Sequence, residues 1–110
     1  SDSSGLESAT RGCINLGSDG SAYHRRIDYV TIASAADASD FGDMLATNVG
    51  EHVCNGLSNL VRGEWWGGSD TSDGAMDEIQ YITIASTGNS TDAGNLTQDI
   101  RYGPACLSGT

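Results

Sequence analysis

Few side chains in this 110-residue chain are of kinds that do chemistry, and their spacing limits what they can do. His24 and His52 are the only histidines. No cysteine or carboxylate stands at metal-ligand spacing around either, so both read as exposed loop residues rather than zinc ligands. The sequence contains no Gly-x-Ser-x-Gly elbow, no phosphate-binding glycine loop and no Cys-x-x-Cys pair, so a nucleophile or nucleotide site has no support. A metal-dependent hydrolase therefore ranks behind every other reading. Asp70-x-x-Asp73-Gly74, followed by Asp77-Glu78, forms an oxygen-rich loop of the kind that chelates calcium. The spacing departs from the twelve-residue calcium loop, and a solvated turn is the simpler reading; no other cofactor is indicated. Trp65 and Trp66 are adjacent, so in a strand they point to opposite faces. One then belongs to the core, and the other is free to stack on a sugar ring or bury in a neighbouring subunit. Asn89-Ser90-Thr91 and Asn95-Leu96-Thr97 have the form of glycosylation sequons, which arise by chance in chains rich in Ser, Thr and Asn.

The elements that position these residues come from a duplication. Ile27-Asp28-Tyr29-Val30-Thr31-Ile32-Ala33-Ser34 recurs 52 positions on as Ile79-Gln80-Tyr81-Ile82-Thr83-Ile84-Ala85-Ser86. β-Branched and aromatic residues dominate both copies, and both parities carry apolar side chains, which predicts strands covered on both faces. The match continues: Asp40-Phe41-Gly42-Asp43-Met44 answers Asp92-Ala93-Gly94-Asn95-Leu96, and Cys54 answers Cys106. At an offset of 51, Gly5-Leu6 answers Gly56-Leu57 and Arg11-Gly12 answers Arg62-Gly63. These positions divide the chain into two repeats, residues 1–53 and 54–110, within a single unit. Each has room for four short strands, in the second around Cys54, at Arg62 to Trp66, at Ile79 to Ala85 and near Ala93 to Thr97. Asp43 to His52 comes nearest to a helical period, and Asn48 and Gly50 weaken it.

Composition agrees with a strand-and-turn protein: fifteen glycines against one proline, and only one Phe, two Trp and four Tyr for the core. No apolar run is long enough for a membrane span. Five arginines, no lysine and fifteen carboxylates give a formal net charge of -10, which repels phosphate backbones and anionic lipid, so neither nucleic acid nor a membrane is an expected partner. The acidity reads first as protection against edge pairing and aggregation. Three cysteines are present. Cys54 and Cys106 share one repeat position and are expected to be buried, reduced and equivalent, because equivalent positions of neighbouring repeats lie too far apart for a disulfide.

A repeat of this length, with a glycine pair closing the second strand, a tyrosine in the third and an arginine after the fourth, resembles the kelch repeat, a blade of a β-propeller. Gly67-Gly68, Tyr81 and Arg101 fill these places in the second repeat, and Tyr29 and Arg62 share in the pattern. The first repeat departs from it, with Leu16-Gly17 at the glycine pair and Val49 where Arg101 stands. The Ile-Asp-Tyr-Val-Thr-Ile-Ala-Ser phrase is similar to kelch-like arrays in structural and tail-fibre-type proteins of tailed phages, marine ones especially. That resemblance implies an all-β fold of two four-stranded antiparallel blades, and a non-enzymatic structural protein of a virion or extracellular assembly. A carbohydrate-binding propeller module for host or surface glycans is the alternative. Two blades do not close a propeller, and the chain starts and ends at nearly the same repeat phase. Head-to-tail self-association, or membership of a longer array, is therefore expected.

Overall fold

The computed structural model describes residues 5–18, 21, 23–45, 56–68 and 74–100. Among these residues eight strands are present: β1 (Gly5–Glu7), β2 (Arg11–Ser18), β3 (Tyr23–Thr31), β4 (Ser39–Asp43), β5 (Gly56–Ser58), β6 (Arg62–Trp66), β7 (Met76–Thr83) and β8 (Thr91–Ile100). They form two four-stranded antiparallel sheets, ordered β1-β2-β3-β4 and β5-β6-β7-β8, and no described residue is helical. Strand order follows chain order in each sheet, so every pairing is a hairpin. The third strand of the second sheet is longer at its start than the duplicated phrase, and the fourth runs from Thr91 rather than Ala93. The strand expected around Cys54 begins at Gly56; Cys54 itself lies outside the described residues. His24, expected in an exposed loop, instead lies within β3, paired with Gly17 and partly buried, because the first sheet extends further toward that loop than the duplicated phrase.

The registers repeat as the sequence does. Gly5, Leu6 and Glu7 pair with Ile14, Cys13 and Gly12, while Gly56, Leu57 and Ser58 pair with Trp65, Glu64 and Gly63. Both first hairpins turn on a side-chain oxygen. Ser8 Oγ accepts from the amides of Thr10 and Arg11, and Asn59 Oδ1 accepts from those of Val61 and Arg62. These Ser- and Asx-type turns add to the backbone bonds from Ser8 N–H to Arg11 O and from Asn59 N–H to Arg62 O where the chain reverses. Gly67 and Gly68 follow β6 with φ of 66° and 109°, a left-handed conformation suited to glycine, and still pair with β7: Gly67 N–H donates to Glu78 O and Gly68 O accepts from Met76 N–H.

The two sheets pack face to face, and they use opposite parities of the repeat to do it. The first contributes Leu6, Cys13, Asn15, Ile27 and Phe41, with Tyr29 packed against them. The second contributes Gly63, Trp65, Gln80, Ile82 and Ile84. Hence Ile27 is buried while its counterpart Ile79 is only partly buried, and Ile84 is fully buried while its counterpart Ile32 is 57% exposed. The expectation that each duplicated strand is covered on both faces is corrected: each is covered on one. Apolar residues of both parities are present because the two copies bury opposite ones. Tyr29 meets Phe41 edge to face, with ring centroids 5.8 Å apart.

Candidate functional site

The junction between the sheets is fixed by backbone as well as side chains. The turn before β8 lies along β4: Gly88 N–H donates to Phe41 O at 2.7 Å and Ser90 N–H to Asp43 O at 2.9 Å. Asp43 N–H in return donates to Asn89 Oδ1 at 3.0 Å. A Cβ on Gly42, which lies between these bonds at φ 151°, would fall on the Gly88 carbonyl and 2.9 Å from Asn89 N. Beneath this seam the buried Gln80 Oε1 accepts from Leu45 N–H at 3.0 Å and from Ser90 Oγ at 2.6 Å. Gln80→Leu leaves both donors without that oxygen, so it is expected to cost about 2 kcal/mol or more. Urea melts of the two proteins measure this; a difference below ~0.5 kcal/mol, the size of an ordinary surface change, would show that the seam does not depend on Gln80.

At the other end of the junction, the Arg11 guanidinium stacks on the Tyr29 ring, 4.5 Å from its centroid, and donates from Nη1 to Ile84 O at 3.0 Å. The second sheet repeats the pair on its outward face, where Arg62 stacks on Tyr81 at 4.0 Å. Arg62 is half-exposed, and Glu64 Oε1 lies 3.9 Å from its Nη1. Glu64, Trp66, Ile79, Tyr81 and Leu57 share this outward face by strand alternation, all partly exposed. On the first sheet the outward face carries Gly12, Ile14, Asp28, Val30 and, beyond the strand end, Ile32. Arg26 Nε donates to Asp28 Oδ1 at 2.7 Å, and this bond, with the nearby carboxylates, raises the arginine's hold on its proton. An open groove of about 370 Å³ runs where β1 meets β5, lined by Leu6, Gly12, Cys13, Gly56, Leu57 and their neighbours.

The two outward faces, rather than a cleft with reactive groups, are the candidate functional surface. No protein-family model matches this chain, and no curated protein is significantly similar to it. Trp65 is completely buried between the sheets, beyond the reach of a ligand, whereas Trp66 is half-buried on the outward face. Asp77 accepts a hydrogen bond from Asn95 Nδ2 at 2.8 Å, and Asp70 and Asp73 lie outside the described residues. So do Arg101, Cys106 and His52. Among the described residues, no three His, Cys, Asp or Glu side chains gather as metal ligands would. Cys13 is a buried thiol whose pKa is pushed up by burial, against the lowering influence of Arg11, so it packs as a small apolar group. Sequence reading missed Gln80, Asn89 and Arg11, whose roles require knowing which face meets the other sheet. The pairing of Arg11 with Arg62 at one repeat position was the available signal.

Proposed function

We propose that this chain is a non-enzymatic structural protein, built of kelch-like, β-propeller-like blades, that self-associates within a virion or extracellular assembly. The observation that carries the reading is that both sheets keep apolar and aromatic residues on outward faces, including Ile14 at 45% and Ile32 at 57% exposure. Uncovered faces of this kind on a small β protein mark interaction surfaces. The resemblance to phage kelch-like arrays supplies the virion setting. At a net charge of -10 per chain, association is expected to tighten as salt shortens the range of repulsion to about 8 Å at physiological strength. Light scattering across concentration and salt tests this. The expected result is a mass that rises above 11.4 kDa with both; a cooperative, folded 11.4 kDa species at every concentration would overturn it.

Trp66 supports a second reading, a glycan-binding module, since its half-exposed ring lies on the same face as Tyr81 and offers a stacking surface to a sugar. Glycan-array binding that disappears in Trp66→Ala would favour this reading, and blank arrays beside ordered assemblies would favour the first.

A further inference from the structure

We propose that the outward face of the second sheet docks onto the outward face of the first sheet of another copy, repeating between chains the pairing made within one. This rests on the self-association reading and names its surface.

Each outward face is the repeat equivalent of a face already seen in contact. The outer positions of the first sheet, Gly12, Ile14, Val30 and Ile32, answer Gly63, Trp65, Ile82 and Ile84, which are buried against the first sheet. The outer positions of the second, Leu57, Ile79 and Tyr81, answer Leu6, Ile27 and Tyr29, which are packed against the second. One half of the internal contact is therefore displayed on each side of the molecule, and the two halves fit each other rather than themselves. Such a contact is heterologous, and successive copies add in one direction.

Three particular contacts transfer. Leu6 packs so closely on Gly63 that a Cβ there would lie 3.2 Å from Leu6 Cγ. The equivalent pair is Leu57 on Gly12 of the next copy, and Gly12 is open, since a Cβ there would meet only Val30 Cγ2, at 3.6 Å. Arg11, braced on Tyr29, reaches the Ile84 carbonyl across the junction. Arg62, braced the same way on Tyr81, is placed to reach the Ile32 carbonyl of the next copy. The seam of β4 with residues 88–90 becomes Ala93 to Asn95 against residues 36–38, where Asp37 takes the place of Asn89 as acceptor. Gly94, the counterpart of Gly42, has nothing within 4 Å of a Cβ. Several substitutions weaken the copy-to-copy contact relative to the internal one; Ala93 stands for the buried Phe41, and two place a carboxylate there, Asp28 standing for Gln80 and Glu64 for Cys13. Each lies beside an arginine, Arg26 and Arg62 respectively, which limits but does not remove the cost of covering a carboxylate. The contact is thus expected to depend on concentration and salt.

The test uses two variants, each blocking one face: Gly12→Leu on the first sheet and Leu57→Arg on the second. Thermal melts by circular dichroism establish that both stay folded. In sedimentation velocity, each alone is expected to associate at least about tenfold more weakly than wild type, the effect of losing about 1.4 kcal/mol at an interface. Mixed, they are expected to give a one-to-one dimer and nothing larger, because one intact face remains on each. Association by either variant equal to that of the wild type, or a mixture that stays monomeric, would overturn the proposed surface while self-association stands. A wild-type chain that is monomeric throughout would overturn both. If Leu57→Arg fails its melt it is replaced by Arg62→Ala on the same face, and if Gly12→Leu fails it is replaced by Ile14→Arg on the first sheet, each read against the same outcomes.

Discussion

Trp65→Ala is expected to remove a large share of this protein's stability. The side chain is completely buried, and it fills the space between β5 and the first sheet, with its Cδ1 2.8 Å from where a Gly56 Cβ would lie. Removing a buried aromatic side chain costs about 3–5 kcal/mol, from lost transfer energy and the cavity left behind. A small domain has a total stability of about 5–15 kcal/mol, and this one has few large apolar groups with which to refill the gap. At roughly 4–8 °C per kcal/mol, the midpoint should fall by at least about 12 °C. Ile14→Ala is the control, because Ile14 occupies the same repeat position on a face that is 45% exposed, and its cost within the chain should stay near ~0.5 kcal/mol. Equal melting shifts for the two substitutions would show that the sheets do not pack by these faces.

Gly42→Ala is the second large effect. A methyl group there meets backbone, the Gly88 carbonyl and the Asn89 amide, which cannot rotate aside as a side chain would. The φ of 151° adds strain of about 1–3 kcal/mol for a residue with a Cβ, and overpacking adds a similar amount. Relief requires the turn before β8 to lift from β4, breaking the bonds from Gly88 to Phe41 and from Ser90 to Asp43. Gly94→Ala separates the two contributions, since Gly94 has φ 129° but open space around it. Denaturant melts should show Gly42→Ala losing about 1–3 kcal/mol more than Gly94→Ala. If the two lose the same amount, strain alone accounts for the glycine and the close approach at the seam is wrong.

The strands and their pairing were legible because they depend on local properties. The duplicated phrase, the glycine pair and the turn residues each act within a few positions, and the repeat offset carries the registers from one sheet to the other wherever both partners are described. Which side of each sheet is buried was not legible. Ile14 and Trp65, or Ile32 and Ile84, occupy equivalent positions with similar apolar character, yet one of each pair is exposed and the other buried. What decides between them is whether another sheet lies on that side, and no residue in the strand encodes its neighbour's position. The same applies to Arg11 and Arg62: the stacked tyrosine is predictable from the repeat, but the carbonyl that Arg11 reaches belongs to the other sheet. Trp65 and Trp66 could be assigned to opposite faces by alternation, while the choice of the inward one waited on the structure.

The strand order also governs how this chain finds its fold. Each sheet is a meander whose first hairpin closes over a few residues, 8–10 in one sheet and 59–61 in the other. Short loops make the entropic cost of closure small and the pairing fast, and no strand has to wait for a distant partner. The contacts of long sequence separation are those between the sheets, Arg11 with Ile84, Leu45 with Gln80, and β4 with residues 88–90. Ordering in time is then expected to follow ordering in space, with hairpins zipping first and the collapse of one ribbon on the other, burying Trp65, limiting the rate. Until that encounter each ribbon carries two bare apolar faces, and the charge of -10 is expected to hold chains apart during the interval.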